Sequence, residues 1–155
     1  MMEEPTAAEL AAHPLLAGLP GEMLDEIAAC AAWAEFAPGA ALLREGEAAD
    51  VVHLLQSGRA ALSVASPGRA PTVFQTVGGG EVVGVSWLAP PARWRWDATA
   101  TEPVTAIALD AARLRALCDA DPALGHALMK RMVPVLLSRL HAARMQALDL
   151  YGDAD

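Results

Sequence analysis

Between residues 84 and 99 the chain concentrates groups that could hold an anion, in the run GVSWLAPPARWRWDAT. A guanidinium from Arg93 or Arg95 pairs with phosphate or carboxylate through charge-assisted hydrogen bonds. The backbone N–H groups of a short helix starting at Gly84 would point at the same anion, with the Ser86 hydroxyl beside them. Trp87, Trp94 and Trp96 each offer a flat indole face to a purine. If residues 93 to 97 run extended, Arg93 and Arg95 share one face and Trp94 and Trp96 the other. Either arginine then faces an anion, or both are solvated arginines flanking a turn; the tryptophans either cover a ligand or fill its space.

No other residues converge on a chemistry. His13, His53, His126 and His141 are scattered over the chain without a companion at helical spacing or a Cys-x-x-Cys partner, so they read as structural and no metal is expected. Cys30 and Cys118 sit among apolar neighbours, as two reduced core thiols would. Neither a Gly-x-Ser-x-Gly nor a P-loop occurs, and GGGEVVG at 78–84 lacks the Rossmann spacing and its strand–helix–strand context. The chain does not read as an enzyme.

Bulk properties limit what these residues can serve. A length of 155 residues with 54% hydrophobic content suits one domain, 1–155, with a real core. The net charge of −8 repels a phosphate backbone, so direct DNA binding is not expected. No stretch approaches the roughly 18 to 20 apolar residues of a membrane span, and MMEEPTAAEL lacks the basic start and apolar centre of a signal peptide. A cytoplasmic protein without membrane contact is the expectation.

The elements that must position the 78–100 stretch follow from periodicity. Residues 7–33 recur at helical spacing, broken and restarted at GLPGEM, which predicts N-terminal helices and places Trp33 on the last of them as packing. From 36 to 109 short Val-, Leu-, Ala- and Thr-rich runs are punctuated by PG at 38, EGE at 45, SG at 57, SPG at 66, GGG at 78 and EP at 102, the mark of an antiparallel sandwich or barrel. The helical period returns over 111–151, with one long segment from Pro122 to about Tyr151. In it Met129, Val133, Leu136, Leu140, Ala143, Ala147 and Leu150 step by 4, 3, 4, 3, 4, 3. A 3.5-residue repeat keeps an apolar seam on one side of a helix and predicts a parallel or near-parallel homodimer. Pro134 removes one backbone hydrogen bond and predicts a kink.

The run FAPGAALLREGEAADVVHLLQSGRAAL, with Gly39, Gly46 and Gly58 at its turns, followed by GGGEVVG, resembles the cyclic nucleotide-binding domain of the bacterial catabolite activator (Crp/Fnr) type. The resemblance runs from about Leu15 to Tyr151 and includes the hinge DADPALG and the long last helix. It implies an α+β, mainly β fold: a double-stranded β-helix or jelly-roll barrel with N-terminal helices and a long C-terminal helix. It also implies a small-molecule-sensing regulatory domain whose ligand, a cyclic nucleotide or other small anion, sits in a cassette including Gly84, Val85, Ser86, Trp87, Arg93, Arg95, Trp96, Ala98 and Thr99. Output would pass through the dimeric helix to an effector protein. His141 and Arg144 fall where the family's long helix reaches the base, although surface solvation explains them as well.

The departures from that pattern matter as much. In those regulators a helix-turn-helix domain follows the long helix, whereas this sequence stops at LYGDAD. In the family's cassette a glutamate after the glycine holds the ribose 2′-hydroxyl and an arginine before Ser/Thr-Ala neutralises the cyclic phosphate. Here those positions hold Val85 and Trp96. Weak or non-standard nucleotide binding is the expectation, and a ligand-free docking module with a degenerate cassette is the alternative.

Overall fold

The computed structural model describes residues 3–152, with side chains as far as residue 148. Two short helices, α1 (Ala7–Ala11) and α2 (Gly21–Ala28), lead into eight strands: β1 (Ala31–Phe36), β2 (Ala41–Leu43), β3 (Val51–Ser57), β4 (Arg59–Ser66), β5 (Arg69–Gly78), β6 (Val82–Val83), β7 (Asp97–Ala100) and β8 (Val104–Asp110). Helices α3 (Ala111–Ala120) and α4 (Pro122–Gly152) complete the chain. The strands form two four-stranded sheets, β1-β8-β3-β6 and β2-β7-β4-β5, with every pairing antiparallel. This is the jelly-roll barrel flanked by helices.

Local chemistry places the boundaries. Thr6 and Glu9 form a reciprocal capping box at the start of α1. The Asp110 carboxylate accepts the Arg113 N–H and stops β8 where α3 begins. Asp121 does the same for α4, accepting the N–H groups of Ala123 and Leu124, with Pro122 in the first-turn position that its missing N–H suits. Gly58 links β3 to β4 at a φ of +89°, and a Cβ there would lie 2.1 Å from the Pro103 carbonyl oxygen. No other residue fits that corner.

One boundary differs from the periodicity. Residues 31–36 are not helical: β1 pairs with β8 from Ala31 opposite Leu109 to Phe36 opposite Val104, which puts Trp33 on a strand opposite Ile107. The alanine-rich run has good intrinsic helix propensity, but β8 offers a full ladder of backbone partners, and tertiary pairing outweighs a few tenths of a kcal/mol per residue.

The core joins all three parts of the chain. Leu10, Leu16 and Ile27 from the N-terminal helices, Val52, Leu54, Leu55, Leu62 and Leu109 from the barrel, and Leu114, Leu124, Leu128 and Met132 from the C-terminal helices are buried in one cluster. Each such side chain contributes about 1.5–3 kcal/mol by leaving water. Cys30 is buried and Cys118 half-buried; both are free thiols, and burial pushes both pKa values up, which keeps them protonated.

Two buried histidines brace this core in the neutral form. His13 accepts the Leu15 N–H on Nδ1 and donates from Nε2 to the Glu81 carbonyl, and burial lowers its pKa. His53 donates from Nε2 to the Leu42 carbonyl at 3.2 Å and meets the Phe36 ring edge-on at 5.1 Å, while its Nδ1 is buried without a partner. Burial lowers the His53 pKa to about 4. The unfolded chain takes up a proton on His53 as pH falls through about 6.5, and the folded chain does not until about 4. Stability is therefore whole above the first value and is lost across the interval between them, by about 3 kcal/mol for this residue alone. Urea unfolding at pH 7, 5.5 and 4.5 should show a falling midpoint. His53→Gln should flatten the slope, and an unchanged slope in that variant would assign the acid sensitivity elsewhere.

Candidate functional site

The stretch from β6 to β7 is the most irregular part of the barrel. After Val83 the chain turns at Gly84, with φ +112°, passes Val85 and makes one 3₁₀ turn, Ser86–Leu88. It returns beside residues 46–49: the Trp94 N–H donates to the Glu47 carbonyl, and the Gly46 N–H to the Trp94 carbonyl. The expected alternation holds, with Trp94 buried, Trp96 half-buried, and Arg93 and Arg95 exposed. Arg93 spends a guanidinium N–H on the Gly46 carbonyl at 2.9 Å.

The three indoles have three different surroundings. The Trp94 ring lies against Gly84, where an added Cβ would be 2.8 Å from its Cη2. Trp87 is buried toward α3; its carbonyl accepts Arg115 at 2.9 Å, and its Nε1 is buried without a partner. Trp87 also borders a cavity toward α3 and α4, with Arg115 and His126, whereas Trp96 faces the space under α4, held edge-on to Phe74 at 5.4 Å between ring centres.

That space is a cavity of about 440 Å³ between the barrel and α4, within the usual size of small-molecule sites. Val64, Phe74, Val85 and Trp96 form its barrel wall, and Leu136, Leu140, Ala143 and Ala147 of α4 form the opposite wall. The polar groups on it are Arg139 and Gln146. Arg139 is only 5% exposed. It donates to the Val82 carbonyl and, at 3.4 Å, to Gln75 Oε1, while Gln75 donates in turn to Ser138 Oγ. Burial pulls the Arg139 pKa down and the charge of Glu81 pushes it part of the way back, and a guanidinium stays protonated under either influence. A larger cavity of about 520 Å³ lies elsewhere, lined by Glu3, Glu9 and Glu35 with Trp33, Gln56 and Thr105. Its three carboxylates repel an anion.

The sequence-selected residues therefore separate. Val85 and Trp96 line the cavity; Gly84, Ser86, Trp87, Arg93, Arg95, Ala98 and Thr99 do not. Ala98 and Thr99 sit in the ladder of β7 against β2 and β4. The guanidinium at the cavity is Arg139 rather than Arg93 or Arg95, because the loop directs Arg93 onto Gly46 while α4 carries its own arginine under the barrel. A signal for it exists in the sequence: Leu128, Met132, Val135 and Arg139 step by 4, 3, 4, a second stripe that puts Arg139 on the buried face. His141 and Arg144 are exposed and outside the cavity. Among the described residues no group of three or more His, Cys, Asp or Glu is placed to hold a metal, and no helix is long and apolar enough to cross a membrane.

The seam residues of α4 are largely uncovered, including those that line the cavity: Met129, Val133, Leu136 and Leu140 are 39%, 48%, 40% and 56% exposed, and Ala143 and Ala147 are exposed as well. The side chain of Leu150 lies outside the described residues. Pro134 lies inside α4, which continues through it as one helix.

Comparison with known proteins agrees with the fold. The profile of the cyclic nucleotide-binding domain family matches residues 33–121. The chain belongs to this family. Its barrel is thus a cyclic nucleotide-binding-like regulatory domain, and the cavity lies between that domain's cassette and its last helix. A protein of Geobacter metallireducens named for cyclic nucleotide binding has a similar structure, with a TM-score of 0.79, 31% identity, and coverage of 88% of this chain and 99% of that one. The N-terminal domain of a transcriptional regulator from Streptomyces coelicolor A3(2) gives 0.66 and 26%, covering 86% and 94%. A cAMP-binding acyltransferase from Mycobacterium smegmatis gives 0.67 and 26%, covering 86% of this chain but 41% of its own. No curated protein matches the chain.

The contact between Gly84 and Trp94 sets the shape of the cassette. Gly84→Ala combines a disfavoured φ with a Cβ 2.8 Å from a buried ring, and should cost about 1–3 kcal/mol. Chemical denaturation measures the loss, which should be smaller in a Trp94→Phe background; an equal loss in both backgrounds would remove the ring contact from the explanation.

Proposed function

We propose that this domain senses a small molecule in the cavity between barrel and α4, without the contacts that hold a cyclic nucleotide tightly, and that α4 carries the signal to a second copy of the chain and to an effector protein. The observation that carries the proposal is the cavity wall itself. Val85 and Trp96 stand in it where the family's pattern has a glutamate for the ribose and an arginine for the phosphate. A valine accepts no hydrogen bond, and losing a charge-assisted pair in a desolvated site costs a few kcal/mol.

Signalling follows from the double use of α4. Leu136 and Leu140 line the cavity and are also members of the exposed seam. A ligand that touches them changes the surface offered to a partner helix, so binding and association are linked, and each alters the other by the same factor. The net charge of −8 favours a protein over DNA as the effector. A second reading, a docking module without ligand, draws support from Trp94, whose buried ring packs directly on Gly84 in the cassette.

Calorimetric titration with cAMP should show no submicromolar binding, and Arg93→Ala and Arg95→Ala should leave the result unchanged because both side chains are outside the cavity. Submicromolar affinity for cAMP would overturn the proposal.

Leu140→Glu places a charge in the seam and should convert the dimer to monomers by light scattering. A wild-type chain that is monomeric at tens of micromolar would end the dimer proposal.

A further inference from the structure

Resting on the reading of this cavity as a sensor site, we infer that its ligand is a small organic acid: an apolar body seated on Phe74, Trp96, Leu136 and Leu140, with its carboxylate directed to Arg139. Three observations meet here. First, the wall is built almost wholly from apolar side chains, and the paired rings of Phe74 and Trp96 present an edge-to-face aromatic surface that rewards an apolar body. Second, Arg139 is a buried cation on that wall, and among the described residues no carboxylate lies within ion-pair distance of it; the one ion pair is Arg59 with Glu102, both at the surface. Third, its five N–H donors are incompletely used: the terminal nitrogens reach the Val82 carbonyl and Gln75, while Nε is buried without a hydrogen-bond partner among the described residues. Glu81 acts on this guanidinium only from beyond ion-pair distance, and a carboxylate is the group whose charge and planar geometry answer a guanidinium.

Charge and shape together decide the class. A neutral apolar molecule would gain the wall but not the cation. A cyclic nucleotide would bring a ribose and phosphate to Val85 and Trp96, which offer them nothing. A second cavity, of about 270 Å³, also touches Arg139 on the side of Pro14, Leu15 and Pro134, and it contains no tryptophan. Trp96 fluorescence therefore reports on the first cavity.

The test compares octanoate with octan-1-ol, the same chain with and without the charge, by tryptophan quenching and thermal shift on the full chain. Octanoate should bind at least about tenfold more tightly than octan-1-ol, with a quench that disappears in Trp96→Phe. Arg139→Gln, which retains a donor for the Val82 carbonyl, should abolish the preference, and Arg139→Lys should keep part of it. Equal affinity of acid and alcohol in the wild-type chain, a result that needs no variant to fold, overturns the acid ligand and leaves the sensor reading standing. Binding of octanoate whose quench persists in Trp96→Phe also overturns it, by placing the site elsewhere. Failure of both probes to bind overturns the inference together with the sensor reading and moves the weight to a docking module.

Discussion

Helix α4 has to satisfy several surfaces at once, and the arrangement of the rest of the domain depends on how it does so. Its first turns bury Leu124, Leu128 and Met132, which ties the helix to the same core that holds the N-terminal helices and the barrel. Further along, the barrel-facing stripe continues with Arg139 in place of another aliphatic side chain, and the contact becomes a cavity rather than a close-packed interface. On the adjoining face the apolar seam stays exposed. The helix is thus packed on one side and uncovered on another, with a cavity beneath its second half.

Polar groups in the interior are used as braces rather than as reactive centres. His13 and His53 each donate to a backbone carbonyl across the fold, and burial keeps both rings neutral. Arg139 does similar work with a charge, joining α4 to Val82 just ahead of the cassette and to Gln75 on β5. The cassette and the last helix are thereby connected through one guanidinium. The field inside the cavity comes chiefly from its nearest desolvated neighbour, Arg139, whereas distant surface carboxylates are screened by solvent and salt.

The sequence by itself determined the order of helices, barrel and helices, the turn positions at Gly39, Gly46 and Gly58, the alternation of arginine and tryptophan over 93–96, and the spacing of the α4 seam, because each rests on a local period or on a backbone angle that one residue type tolerates. The start of the first strand, residues 31–33, was not legible: its alanines favour a helix until β8 supplies the ladder of hydrogen bonds that pulls them flat. The occupants of the cavity wall were only half legible. Val85 and Trp96 could be placed from the cassette pattern, but whether Arg93, Arg95 or some other cation reaches the cavity depends on how a loop of irregular backbone folds onto residues 46–49. Arg139, 57 positions beyond Val82, meets it only when α4 packs across the barrel, and contact between residues so far apart in the chain is a property of three-dimensional packing that no local pattern encodes.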